Sequence, residues 1–489
     1  MRVRVWSSLV LGLVALLCGV AVRSAETAAP ASAPLPAPPP SLPCADRVAD
    51  GASAPPARVP ELRYSCLSLR NGQHVLVGQA GVQRAPAVLL VHGLGSNAHR
   101  DWANAVPVLA KQFHVIALDL PGFGASEASP QGYSFEALGG ALDQVLEQTA
   151  PGQRAHVVGH SLGGAVSLYF ANTHADKLDR LVLVDAAGIL LKTVFAQHAA
   201  SLRTRSIGID PVDRFLKGLD ERVNSLRRFV FSDLDDRFDL SRWLAQNPGV
   251  RSALLGRYTQ IEAGLGLVEH DFTAAIRDTT APTTVIWGLD DPVAPLRTGK
   301  LLAARMPDAR LRVIDGVGHT PMQDSPQAFN RLLLEALVAP LSPRYAVDVP
   351  LVSKGSAVCQ NEPNKRYSGS YDSITLDNCA DARIEGARLK QLVVKSSSVT
   401  LEDSVIDGAD VALSAQGSQV AATNVRLRGR VAIRADDSRL DLAGVSLSAS
   451  ERGVEMLAPS RLYFSVSDWH ASDFNGDAHF LWPLAEGQR

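Results

Sequence analysis

The stretch GHSLGG, residues 159–164, contains a serine whose neighbours suit it to nucleophilic catalysis. Ser161 has one glycine two residues before it and another two residues after it, in the pattern G-x-S-x-G. Such glycines leave room for the sharp strand-to-helix turn that exposes a catalytic serine hydroxyl. The strand-like run AHVV before it and the helical pattern AVSLYFANTHA after it favour this turn, and we predict that Ser161 is a nucleophile.

A serine hydroxyl is a weak nucleophile near neutral pH, so it needs a base and an acid that orients the base. Candidates for both follow Ser161 in the chain. The segment WGLDDPVAP contains Asp290 and Asp291, and the later segment GVGHTP contains His319. The order Ser, Asp, His along the chain is typical of serine hydrolases built on a parallel sheet. The sequence therefore predicts acyl transfer at Ser161 with His319 as the base, a mechanism that requires no cofactor and no metal.

Short apolar runs alternate with helical patterns over residues 61–341, and this alternation predicts an α/β fold. Several of these runs are apolar throughout, as expected for a parallel sheet that is buried on both faces. The alternation is interrupted between Ala187 and Thr280, where the residues show helical periodicity instead. The predicted strands are Ala87–Val91, Val115–Leu118, Ala155–Val158, Leu181–Val184, Thr284–Trp287 and Leu311–Ile314.

Five motifs in order, VHGLGSN, DLPGFGAS, GHSLGG, WGLDDPVAP and GVGHTP, resemble the α/β-hydrolase superfamily over about residues 62–341. The resemblance implies a mostly parallel, doubly wound sheet, with residues 188–275 as a helical cap. It implies Asp291 as the acid of a Ser-His-Asp triad, with Asp290 as the alternative. It also implies an oxyanion hole formed by the backbone N–H groups of Leu94 and Leu162.

The C-terminal residues 345–489 lack helical periodicity and contain a repeat. Copies of about 20 to 22 residues begin at Ser398, Ser418, Ser438 and Ser460, and each contains short alternating apolar segments. Repeats of this length with alternating strands are typical of solenoids. We predict a short right-handed parallel β-helix, and a β-sandwich is the alternative.

The N-terminus resembles an export signal rather than part of a fold. Arg2 and Arg4 precede an apolar run, so residues 1–24 are predicted to be a secretory signal peptide. The alternative is an uncleaved membrane anchor. Residues 25–60 are rich in Ala and Pro and are predicted to be an extended linker. The predicted location is therefore periplasmic or extracellular.

Cysteine spacing agrees with export to an oxidising compartment. Once Cys18 is removed with the signal peptide, four cysteines remain in two pairs that are close in sequence. They are candidates for disulfides Cys44–Cys66 and Cys359–Cys379. Metal binding is disfavoured, because no C-x-x-C spacing accompanies them.

The formal net charge of −2 offers no electrostatic reason to expect nucleic acid as a partner. The leading hypothesis is an exported serine hydrolase that cleaves carboxylic esters, either small molecules or esters linked to glycans. The repeat region is a candidate contact to glycans or the cell envelope. Two alternatives stay open: the same triad acting on a C–C, amide or lactone bond or in perhydrolysis, and an inactive hydrolase domain that serves as a binding or scaffold module.

Overall fold

The computed structural model describes residues 59–95, 98–191, 259–340 and 352–484. The predicted signal peptide, almost all of the predicted linker and residues 192–258 of the predicted cap lie outside these ranges. No helix within the described ranges is long and apolar enough to cross a membrane.

An eight-stranded sheet forms the first part of the chain, in the order β1-β2-β4-β3-β5-β6-β7-β8. The strands from β3 to β8 are parallel to one another, and they contain the six predicted strands. The first two strands pair antiparallel, with each other and with β4, and were not predicted. The strands are β1 Arg63–Ser68, β2 His74–Gly81, β3 Ala87–Val91, β4 His114–Leu118, β5 Ala155–His160, β6 Leu178–Val184, β7 Thr283–Gly288 and β8 Ala309–Ile314.

Helices cover both faces of this sheet, which explains the continuous apolar strands. Leu89 of β3 packs into the core on one side, whereas its neighbours Val88 and Leu90 pack into the core on the other. The helices are α1 Val106–Leu109, α2 Phe135–Thr149, α3 Leu162–Thr173, α4 Thr259–Glu269, α5 Thr273–Asp278, α6 Leu296–Arg305, α7 Pro321–Asp324 and α8 Pro326–Val338, with 3-10 turns at Ala98–Trp102 and Ala175–Lys177.

The parallel strands bring four chain segments together at one edge of the sheet. The segments that follow β5, β6, β7 and β8 all leave the sheet at its carboxyl edge, because parallel strands share one direction. Ligands of open α/β sheets bind outside this edge. The residues that follow these strands are therefore the ones the fold can combine into a site.

The C-terminal part of the chain forms a second, 14-stranded sheet in which almost all strand pairs are parallel. Equivalent positions of the sequence repeat pair directly: Val399 pairs with Val420, Val420 with Leu440, and Leu440 with Leu462. The strands are β9 Ser356–Gln360, β10 Arg366–Asp377, β11 Ala382–Lys395, β12 Ser398–Glu402, β13 Val405–Asp407, β14 Val411–Gln416, β15 Gln419–Thr423, β16 Arg426–Asp436, β17 Arg439–Ala443, β18 Ser446–Met456, β19 Arg461–Ser465, β20 Ser467–His470, β21 Asn475–Ala478 and β22 Leu481–Trp482.

A disulfide and an aromatic cluster lie at opposite ends of this second region. Cys359 of β9 is bonded to Cys379, as predicted. At the other end Trp469 contacts Phe474 and Trp482, with ring centroids 5.4 and 4.9 Å apart. In the first sheet Cys66 is also disulfide-bonded, and its predicted partner Cys44 lies outside the described residues.

Basic side chains of α6 join the first sheet's domain to the second sheet. Arg297 forms a bidentate ion pair with Asp441 of β17, with N–O distances of 2.5 and 3.2 Å, and also donates to the Ala422 carbonyl. Farther along α6, Lys300 pairs with Glu402 at 2.6 Å, and Arg305 pairs with Asp468. These acids belong to three different strands, so one helix holds a broad part of the second sheet.

We predict that Arg297→Ala lowers the free energy of unfolding by about 1–3 kcal/mol, because it leaves a half-buried carboxylate without its bidentate partner. The Arg297 and Asp441 side chains are only 16% and 17% exposed. Arg277→Ala is the matched control: it breaks another ion pair to the second sheet, with Asp477, but its side chain is 56% exposed. Urea unfolding measures the free energy of unfolding of both variants, and we expect the smaller loss in Arg277→Ala. An equal loss in the two variants would contradict the claim that the more buried Arg297–Asp441 ion pair contributes more than the exposed one.

Candidate active site

Ser161 lies in the strained turn that its sequence motif predicts. It connects β5 to α3 with φ +52° and ψ −116°, a left-handed conformation that is rare for residues other than glycine. Its backbone N–H donates to the Val184 carbonyl at 3.0 Å. A Cβ atom on Gly159 or Gly163 would overlap neighbouring backbone oxygens, so both flanking glycines are needed for this close packing.

His319 lies between Ser161 and Asp291. Its Nε2 is 2.9 Å from the Ser161 hydroxyl oxygen, and its Nδ1 is 2.8 Å from Oδ2 of Asp291. The three residues are buried, at 4–6% exposure. Since a carboxylate only accepts, Nδ1 donates to Asp291, and Nε2 is left as the acceptor for the serine proton. The structure thus brings together the three residues that the sequence singled out.

The loop after β7 determines which of its two aspartates faces His319. Oδ1 of Asp291 accepts the backbone N–H groups of Val293 and Ala294 at 2.7 and 3.0 Å, which aims Oδ2 at the imidazole. Burial favours the neutral acid, but the charge and hydrogen bond of His319 outweigh it, and the pKa of Asp291 lies below its usual value. Asp290 is exposed, so the geometry favours Asp291 as the partner of His319.

A second buried carboxyl group, that of Asp185, lies beside the Asp291–His319 pair and was not predicted. Asp185 follows β6, and its Oδ1 accepts the Gly288 N–H at 2.9 Å. Burial, followed by the charge of Asp291, raises the pKa of Asp185 well above its usual value, which favours the protonated acid. The only signal in the sequence was an aspartate directly after an apolar strand, LVLVD.

Asp185, Asp291 and His319 each have one possible metal-ligand atom, a carboxylate oxygen or a ring nitrogen, and these atoms lie within 4.8 Å of one another, a spacing that could also hold a metal ion. In the structure, however, Nδ1 of His319 and Oδ2 of Asp291 are bonded to each other. This hydrogen bond accounts for the proximity of His319 and Asp291, and Asp185 is held separately by the Gly288 N–H.

The two residues proposed for the oxyanion hole belong to α3 and to the loop after β3, both of which approach Ser161. Leu162 is the first residue of α3, whose N-terminus favours negative charge. Leu94 follows Gly93, and a Cβ atom on Gly93 would lie 3.1 Å from Cβ of Ser161. Two hydrogen bonds of the His92 side chain stabilise this loop. Its Nδ1 donates to the Gly93 carbonyl at 2.7 Å, and its Nε2 accepts from the Leu120 N–H at 2.9 Å.

Comparison with known proteins agrees with this geometry. Residues 86–326 match the family described as alpha/beta hydrolase fold. A pimeloyl-[acyl-carrier protein] methyl ester esterase of Aromatoleum aromaticum is 31% identical over 245 residues, which cover 50% of this chain and 94% of the esterase.

Two further relatives are each similar over about half of the chain. A 2-hydroxy-6-oxononadienedioate/2-hydroxy-6-oxononatrienedioate hydrolase of Cupriavidus pinatubonensis is 27% identical, covering 52% of this chain and 87% of that enzyme. An uncharacterized protein of Mycobacterium tuberculosis is 29% identical, covering 50% of this chain and 73% of the relative. With an esterase relative matched over nearly its whole length, the chain belongs to the α/β-hydrolase fold family and is a serine hydrolase.

Proposed function

We propose that this protein is an exported hydrolase of carboxylic esters, with Ser161 as nucleophile, His319 as general base and Asp291 as the acid that orients the base. The observation that carries the proposal is the continuous hydrogen-bonded chain from the serine hydroxyl through the imidazole to the carboxylate. This arrangement suits acyl transfer, because the base is in contact with the nucleophile and has its other nitrogen fixed.

The proposed reaction proceeds in two steps through an acyl-enzyme. Nε2 of His319 removes the proton of Ser161 while the serine oxygen attacks the ester carbonyl, and the protonated imidazole then gives that proton to the leaving alcohol. Asp291 stabilises the imidazolium. The N–H groups of Leu94 and Leu162 stabilise the negative charge that develops on the carbonyl oxygen. Water, deprotonated by His319, releases the acid and restores Ser161.

A second candidate reaction is hydrolysis of a 2-hydroxy-6-oxo-dienedioate. It is favoured by one observation, the similarity to a hydrolase named for such compounds. The esterase relative has the higher sequence identity, 31% against 27%, and we therefore place ester hydrolysis first. Residues 188–275 are proposed as the cap over the site. In the described part of this range, the hydroxyl of Thr259 in α4 lies 3.0 Å from the hydroxyl of Tyr133, which precedes α2.

The proposal of export rests on the N-terminal sequence and on the cysteines. Residues 1–24 have the charge and apolar pattern of a secretory signal. A Cys359–Cys379 disulfide and a disulfide-bonded Cys66 suit an oxidising compartment, and Cys44 is the proposed partner of Cys66.

We further propose that residues 345–489 form a short right-handed parallel β-helix that contacts a glycan or the cell envelope. Parallel pairing of positions 20 to 22 residues apart supports the β-helix. A cleft of about 410 Å³ between the two regions supports the contact. Leu190 and Pro295 line one side of it, and Ser398, Thr400 and Gln419 supply hydroxyl and amide groups on the other.

We expect Ser161→Ala to lower kcat for a small nitrophenyl ester by at least about 10⁴-fold, because the nucleophile is lost. A fluorophosphonate probe should label wild type and not the variant. Circular dichroism serves as the control for folding. If folded wild type takes up no probe, the protein is a scaffold rather than an enzyme of this mechanism.

We expect Asp291→Asn to lower kcat by about 10³- to 10⁴-fold, because the amide no longer stabilises the imidazolium or the required tautomer. Asp290→Asn is the matched control, one residue away and exposed, and should keep wild-type kcat within about threefold. Steady-state kinetics on the same ester compare the two. A greater loss in the Asp290 variant would move the acid role to that residue.

Hydrolysis of a substrate panel should separate the two candidate reactions. We expect measurable kcat/KM for methyl, nitrophenyl and acetylated-saccharide esters, and at least about tenfold lower values for a 2-hydroxy-6-oxo-dienedioate, since differential transition-state binding decides specificity. The reverse preference would favour the second candidate. Neither result affects the assignment of Ser161, because both reactions use it.

A further inference from the structure

A second buried acid–histidine pair, Asp101 and His160, lies next to the triad, where His160 contacts His319. Asp101 belongs to the 3-10 turn Ala98–Trp102, and His160 ends β5, immediately before Ser161. Their side chains are 7% and 4% exposed, and Nδ1 of His160 is 3.7 Å from Oδ2 of Asp101. Neither residue belongs to the triad, so the pair has no part in the proton transfers described above.

His160 connects the nucleophile strand to the loop that carries the base. Its Nε2 donates to the backbone carbonyl of His319 at 2.7 Å. The two imidazole rings also pack together, with centroids 5.0 Å apart. Because the carbonyl can only accept, Nε2 of His160 carries a proton, and the opposite nitrogen faces Asp101. The Nε2 hydrogen bond fixes one end of the ring, and the other end lies against Asp101 at 3.7 Å, beyond hydrogen-bond distance.

Asp101 connects the same histidine to residues 92–94, the segment after β3 that carries the Leu94 N–H and is called the oxyanion loop below. Its Oδ2 accepts the backbone N–H of Gly93 at 3.3 Å, and its Oδ1 accepts from Nε2 of Gln323 at 3.1 Å. Burial raises the pKa of Asp101, but the neighbouring His160, followed by His92 and the Gly93 N–H, favours the carboxylate more strongly, and the pKa lies below its usual value. A buried ionised carboxylate persists only where such partners surround it.

Gly93 lies against the His160 ring itself. A Cβ atom on Gly93 would be 2.8 Å from Nδ1 of His160 and 3.1 Å from Cβ of Ser161. The residue that precedes Leu94 is thus confined between the Asp101–His160 pair and the nucleophile. Three segments meet at this pair: the oxyanion loop, the nucleophile turn and the loop of the base.

We propose that Asp101 and His160 are positioning residues, which hold the Leu94 N–H and the His319 backbone where the transition state requires them. The proposal rests on the proposed function. The pair acts through these neighbours and does not touch the substrate. Loss of the pair should displace the oxyanion donor and the base relative to the Ser161 hydroxyl, and misplacement of about 1 Å can cost about 100-fold in rate.

The test is Asp101→Asn and His160→Gln in the full-length protein. We expect kcat for a nitrophenyl ester to fall about 10- to 100-fold, with KM changed by less than about threefold, because oxyanion stabilisation is gained mainly in the transition state. Affinity for a boronic acid, which mimics the tetrahedral intermediate, should fall by a similar factor. Titration with a fluorophosphonate counts the folded active sites, so kcat is expressed per competent site.

The chain contains a matched control in the pair His99 and Asp119. Nδ1 of His99 is 2.7 Å from Oδ1 of Asp119, and these side chains are 4% and 1% exposed. His99 contacts Tyr64 on its other side rather than a triad residue. His99→Gln should therefore lower stability without lowering kcat per competent site by more than about twofold.

Gln323→Leu provides a milder variant in case Asp101→Asn does not fold. Gln323 is exposed, and its replacement removes one hydrogen bond from Asp101. We expect about a two- to fivefold loss of kcat and of boronic acid affinity.

Any one of three results would overturn the proposal. The first is a kcat per competent site within twofold of wild type in Asp101→Asn, His160→Gln and Gln323→Leu alike. The second is an equal loss of kcat per competent site in His99→Gln, and the third is a loss of kcat in the Asp101 and His160 variants with unchanged boronic acid affinity. Each requires an active wild-type enzyme. An inactive wild type would instead reject the proposed function.

Discussion

The active site depends on one constraint, that the His319 imidazole is hydrogen-bonded on both sides at once. Asp291 holds one nitrogen at 2.8 Å, and Ser161 lies 2.9 Å from the other. The three residues follow different strands, β5, β7 and β8, and only the shared direction of those strands brings their ends to one edge. The helices on both faces, the strained turn at Ser161 and the loop that aims Asp291 all serve this alignment.

The fold was predictable where one physical signal dominates. Strand β3 is apolar at all five positions because both faces are buried, and its predicted bounds match those observed. Strand β1, with the sequence RYSCLS, gave no such signal, since it is an edge strand of the sheet, is only partly buried and mixes polar with apolar residues. In the C-terminal region the repeat predicted parallel pairing of equivalent positions, as in Val399 with Val420. The contact of α6 with this region was not predictable, because Arg297 and Asp441 are 144 residues apart.

In the site, too, some residues are recognisable from sequence motifs, whereas others are recognisable only from their tertiary contacts. Ser161 and His319 stand in motifs whose glycines and chain order already indicate their roles. The choice between Asp290 and Asp291 required the turn in which Val293 and Ala294 bind one oxygen of Asp291. Asp101 and His160 carried no distinguishing local pattern, and Asp185 had only its place directly after an apolar strand. Their importance arises from burial beside the triad, which depends on the tertiary fold.

The central claim is that Ser161 becomes acylated during turnover because His319 removes its proton. Rapid-quench mass spectrometry of the full-length protein with a slowly hydrolysed nitrophenyl ester tests it most directly. We predict an intact protein heavier by one acyl group, with the acyl group on the peptide that contains Ser161 and with formation and decay rates that match steady-state turnover. Ester hydrolysis with no acylated protein at any time, or with the acyl group on another residue, would contradict it.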